Sequence, residues 1–136
     1  MIFVSAMLLY SCSNQFPTPT NYKDVIITLD RGPCFGTCPV YKLVIFGNGT
    51  VIYNGSDFTA KGIEVVRVKG LQTTFITEDK VKQLVDKFQK INYFNLKDNY
   101  ISQDYVDGKT VITSITINGR KKTIQRSDND VNGVNP

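Results

Sequence analysis

Arg31–Gly55 reads RGPCFGTCPVYKLVIFGNGTVIYNG, and its second half decides the fold. Val40–Phe46 alternates in character, Gly47-Asn48-Gly49 interrupts it, and Thr50–Tyr53 resumes the apolar run. An Asn-Gly step between two apolar runs is a strong hairpin signal, because these two residues accept the positive φ that a tight turn demands. The stretch therefore predicts two antiparallel strands. The same reading extends outward in both directions. Val25–Leu29 (VIITL) is a β-branched run and predicts a strand ahead of the hairpin; Ile63–Lys69 (IEVVRVK), bounded by Gly62 and Gly70, predicts one after it. Val111–Ile117 (VITSITI) alternates, Asn118-Gly119 repeats the turn signal, and Arg120–Gln125 predicts the returning strand.

From Thr77 the period changes from two to 3.6. Val81, Leu84, Val85, Phe88 and Ile91 share a face, with Lys82, Asp86, Lys87 and Lys90 placed elsewhere. Thr77 is the expected cap, Glu78 and Asp79 suit the positive end of the helix dipole, and Lys87 and Lys90 suit the negative end. Ile76 and Val81 have the spacing of a hydrophobic staple. The helix stripe is expected to cover the strands. Together these elements predict an α+β domain, an antiparallel sheet of five to six strands built from hairpins with one amphipathic helix packed on one face.

The first half of the opening stretch holds the candidate chemistry. Pro33 and Pro39 bracket PCFGTCP, and a proline biases its predecessor away from helical backbone, so Cys34 and Cys38 do not read as neighbours on a helix. They read as the two ends of a tight loop in which Gly36 is free to take positive φ. Three uses are open. A structural disulfide would close a small loop and contribute only about 2 kcal/mol in the chain-entropy model, so it would shape the loop rather than hold the domain. A metal site would be incomplete for zinc, which takes four ligands, although two thiolates suit Cu(I). A redox pair would have a longer spacing than the two-residue gap of thioredoxin-like motifs, with Arg31 near enough in sequence to lower a thiol pKa.

Composition narrows the classes. The 136 residues are 41% hydrophobic, which suffices for the core of one domain. Sixteen Lys and Arg against twelve Asp and Glu give a charge of +4, and the basic residues are scattered rather than gathered into a stripe, so no nucleic-acid partner is expected. The chain has no histidine, which excludes Ser/His/Asp and Cys/His catalytic arrangements. Between Asn92 and Gly108 lies an aromatic and polar connection, NYFNLKDNYISQDYVDG. Its Asp104 and Asp107 are carboxylates with acid/base or cation-binding potential, but their spacing is not that of an EF-hand, and Asp107-Gly108 reads equally well as a turn.

Residues 1 to 22 carry no charged side chain. The apolar run MIFVSAMLLY is about ten residues, half of the roughly twenty that a spanning helix needs and close to the core of an export signal. Leu9-Tyr10-Ser11-Cys12 resembles a bacterial lipobox, which would make Cys12 the lipidated first residue of the mature chain. Residues 1–11 are thus expected to be a signal-like segment, 12–23 a polar tether that includes FPTPTN, and 24–126 the folded domain. Residues 127–136 are expected to be a tail or the start of a further element.

With these residues assembled, the chain resembles a bacterial and archaeal family, DUF6438. The resemblance rests on RGPCFGTCPVYKLVIFGNGTVIYNG, on an amphipathic helix followed by FNLKDNY, and on the strand pair around NGRKKTI, and spans roughly residues 24 to 126. It implies an exported or lipid-anchored α+β domain and supplies no catalytic residues. The expectation is a non-enzymatic binding or structural module at the cell envelope. It would meet the membrane through a lipid anchor or signal segment and carry a protein or small-molecule ligand without any cofactor. The alternative is a thiol-redox or copper-handling protein using Cys34 and Cys38.

Overall fold

A computed structural model describes residues 15–33, 39–56, 70–101 and 109–128. Within them the strands are β1 (Ile26–Arg31), β2 (Val40–Phe46), β3 (Thr50–Ser56), β4 (Gly70–Phe75), β5 (Asn99–Tyr100), β6 (Lys109–Ile117) and β7 (Arg120–Asp128), with one helix, α1 (Glu78–Lys90). The seven strands form a single sheet in the order β4-β3-β2-β1-β6-β7-β5. β1 runs through its centre and sets Ile27 opposite Ile45 on one side and Ile115 on the other. Residues opposed in an antiparallel ladder share a face, so these three isoleucines lie together, joined two residues along by Ile117 and by the Thr113–Ile124 pair. This is the face that α1 covers, with Val85 of the helix in the buried cluster and Leu84 and Phe88 packed on it.

The two Asn-Gly signals mark hairpins of different kinds. At Asn118-Gly119 both residues have positive φ (51° and 76°) between paired Ile117 and Arg120, the two-residue turn that matches strand twist. At Gly47-Asn48-Gly49 only Gly49 does (φ 90°). That loop is longer by one residue and is held by the Asn48 side chain accepting from the Thr50 amide at 2.9 Å. Gly49 also lies close under the chain before the helix, where a Cβ would stand 2.1 Å from the Ile76 carbonyl oxygen.

α1 begins where the sequence indicates, with Thr77 extended at its cap and its hydroxyl accepting from the Lys80 amide. It ends on Asn92, whose left-handed φ of 50° turns the chain while the amides of Ile91 and Asn92 bond the carbonyls of Lys87 and Gln89. A short 3-10 turn, Tyr93–Asn95, then brings Tyr93 under the helix.

Three expectations change. The sheet is larger than five to six strands and is mixed rather than wholly antiparallel, because β5 pairs with β7 in parallel, Asn99 opposite Gln125 and Tyr100 opposite Arg126. A two-residue strand has no period to read, and it forms here because the Gln125 amide donates to the Asp98 carbonyl at 2.9 Å while Lys122 pairs with the Asp98 carboxylate. β4 is Gly70–Phe75, a stretch not read as a strand; the strand expected at 63–69 lies outside the described residues. β7 continues to Asp128, past the expected end at Gln125. In addition, part of the expected tether lies on the domain. Phe16 is buried at 7% exposure and meets Phe94 edge to face at 5.3 Å, while Asn118 bonds the backbone of Thr18 and Thr20.

Candidate functional site

The cysteine loop enters and leaves through well-placed strands. β1 ends on Arg31 opposite Tyr41 of β2, so the described residues that flank the cysteines stand at one end of this strand pair. Gly32 donates its amide to Thr110 at 2.9 Å. Pro33 is exposed and Pro39 half-buried, while Cys34, Gly36 and Cys38 lie outside the described residues, as do Cys12, Asp104 and Asp107. Beside the loop, Tyr41 and Tyr53 stack at a tilt, 5.8 Å between ring centres. The Arg31 Nε is buried there without a hydrogen-bond partner. Among the described residues no three His, Cys, Asp or Glu side chains gather into a metal-ligating group. No described helix is long and apolar enough to cross a membrane.

A second candidate lies between α1 and the sheet. A cleft of about 700 Å³ opens there, within the roughly 300–1,000 Å³ usual for ligand pockets. One wall is the last two turns of α1, presenting Leu84, Lys87, Phe88 and Ile91. Their spacing of three, four and seven residues makes them one stripe, so Lys87, assigned by pattern to another face, lies along its edge with its alkyl stem beside the apolar groups. The opposite wall is the sheet, with Leu29 of β1, Val111 and Thr113 of β6, and Ile124 and Arg126 of β7. Tyr93, Leu96 and Tyr100 supply the remaining side, from the turn after α1 and from β5.

Tyr93 fixes the geometry of this cleft. Its ring is buried and meets Phe88 edge to face, 4.8 Å between centres, which ties the helix wall to the turn. Its hydroxyl donates to the Thr113 carbonyl at 2.8 Å and shares a second bond of 2.7 Å with the Thr113 hydroxyl, which ties the turn to β6. Burial raises the Tyr93 pKa above the ordinary tyrosine value, with the hydrogen bonds from Thr113 and the Ile124 backbone opposing that rise. The phenol is a neutral strut, and its hydroxyl and that of Thr113 satisfy one another. The described lining is otherwise mostly apolar, with the cations Lys87 and Arg126 and the hydroxyl residues Tyr100 and Ser127 beside it. Among the described residues, Asp30 pairs with Lys42 and Asp98 with Lys122, and neither pair involves Lys87 or Arg126.

Sequence reasoning pointed to the cysteine loop and missed the cleft. Its only signals were a lysine flanking an apolar stripe and the aromatic density of YFNLKDNY, both of which ordinary core packing also produces. A mixed seven-stranded sheet with one covering helix and an apolar cleft between the two defines an α+β domain. The chain matches the family described as a domain of unknown function (DUF6438) over residues 25–134, and it belongs to that family. No curated protein matches it.

Proposed function

We propose that this chain is an exported or lipid-anchored domain of the cell envelope that works as a binding module, with the cleft between α1 and the sheet as its site. The observation that carries the binding role is the cleft itself, a built concavity whose wall hydroxyls are already paired and whose apolar surface stays open. Cavities of this size lined by apolar groups with few polar ones are the usual form of small-molecule sites. The export part rests on the apolar N-terminal run and on Cys12 in its lipobox-like setting. In this reading Cys34 and Cys38 form a structural clasp shaped by Pro33, Gly36 and Pro39, as two nearby cysteines do in an oxidising compartment.

The test is the intact mass of the protein recovered from the membrane fraction of its host, with and without reductant and thiol alkylation. The reading predicts lipid on Cys12 and two thiols that alkylate only after strong reduction. A chain found only in the cytosol without lipid contradicts the envelope assignment. Thiols that alkylate without reductant, or a retained copper ion, replace the clasp with thiol-redox or copper chemistry.

A further inference from the structure

We propose that the cleft takes a free single-chain amphiphile with an anionic end, of which a long-chain monocarboxylate is the simplest. This rests on the binding-module reading and names its ligand class.

The chemistry of the lining makes the selection. Leu29, Leu84, Phe88, Leu96, Val111 and Ile124 offer a chain only apolar contact. Burying a methylene is worth roughly 0.8 kcal/mol, so affinity rises with chain length until the cleft is filled. Of the hydroxyls lining the cleft, those of Tyr93 and Thr113 are bonded to each other and that of Tyr100 accepts from the Lys97 amide, so these need no polar ligand group to satisfy them. Among the described lining residues the charged groups are both cations, Lys87 from the helix and Arg126 from the sheet, and none is a carboxylate. A cationic or zwitterionic end would therefore be repelled or unpaired, while a carboxylate would meet a flexible ammonium and a planar guanidinium. Arg126 is also placed with some rigidity, since its strand is paired to β6 at Val111 and to β5 at Tyr100. Two of the last four carbonyls of α1, those of Lys87 and Gln89, accept from the Ile91 and Asn92 amides, which lessens the negative field that the helix end would set against an anion.

The experiment titrates the isotope-labelled full chain with dodecanoate, dodecan-1-ol and dodecyltrimethylammonium, each as monomer, following backbone amide shifts and the dissociation constants they yield. Dodecanoate should bind about tenfold more tightly than the alcohol, because each exposed cation contributes about threefold, and the ammonium should bind most weakly. The Lys87→Gln, Arg126→Gln double variant should bring dodecanoate to the affinity of the alcohol and leave the alcohol unchanged. Ile91→Glu, at a wall position 58% exposed that tolerates a polar side chain, should weaken dodecanoate more than the alcohol and narrow its margin over the ammonium.

Equal affinity for all three probes overturns the anionic class and leaves a binding module without charge selection. No binding of any probe overturns the class and the binding role together. A dimer by light scattering whose interface protects the cleft makes a second copy the occupant. Association with phosphatidylglycerol vesicles without monomer binding makes it a membrane surface. Either result also overturns the proposal.

Discussion

β6 and β4 belong to the same sheet and differ in almost everything that stabilises a strand. β6 is nine residues long, paired on both sides, and buries Ile115 and Ile117 with no exposed surface. β4 is six residues long, paired only to β3 among the described strands, and leaves Leu71 69% and Phe75 74% exposed. The second ladder of β6 satisfies more backbone groups, but pairing does not by itself explain the difference in side-chain burial. Cover does: the buried cluster draws on β1, β6, β7 and α1 and takes nothing from β4. On the covered wing the cleft lies between the helix and the sheet. Its walls are thus held by residues of the core and by neighbours packed on it.

The largest test of this contrast is Ile115→Ala. Removing a fully buried side chain at the centre of the covered wing should cost about 4 kcal/mol, since the lost burial and the residual cavity add. Urea unfolding read by circular dichroism checks it, and a cost below about 1 kcal/mol would mean that the wing is not close-packed.

A smaller effect is expected at the strut beneath the cleft. Tyr93→Phe leaves the ring packing and removes the hydroxyl bonds to Thr113, for a loss of about 1–2 kcal/mol. It also changes the alkaline limb of stability. The Tyr93 pKa is raised in the fold, so below the ordinary tyrosine pKa of about 10 both states hold the proton and the contribution is intact. Above it the unfolded chain binds fewer protons than the folded one, and stability falls as pH rises through the folded pKa. Wild type should therefore lose stability from about pH 10 upward more steeply than Tyr93→Phe, as measured by denaturant midpoints across that range. Parallel curves would show that the phenol is not desolvated.

The smallest effect belongs to the open wing. Leu71→Ser with Phe75→Ser should change stability by no more than about 0.5 kcal/mol per site, because neither side chain is covered within the domain. A loss of 2 kcal/mol or more would show that the two wings share one core.

Much of the covered wing was legible from residues alone. VITSITI carries period two, Val25–Leu29 is a β-branched run, the returning strand follows from the Asn-Gly turn, and Thr77 to Ile91 carries period 3.6 with its cap in place. The Asn-Gly steps announced both hairpins, although Asn118-Gly119 makes the two-residue turn and Asn48-Gly49 only part of a longer loop. β5 was not legible, since two residues cannot show a period and the parallel pairing depends on Asp98 meeting Gln125 and Lys122 from elsewhere in the chain. β4 was missed because GLQTTF is polar and uncovered, so burial left no imprint on its pattern. The cleft was invisible for a different reason. Leu84, Phe88, Val111 and Ile124 look like core in any reading, and only the space left between the helix and the sheet turns them into a surface.

The account therefore turns on whether an apolar chain enters between α1 and the sheet. Nuclear Overhauser contacts between dodecanoate methylenes and the methyl groups of Leu84, Leu96 and Ile124 measure this directly. Contacts to these three, with none to Leu71 or Phe75, are what the account predicts. Contacts confined to the open wing, or none to the cleft methyls at saturating ligand, would contradict it.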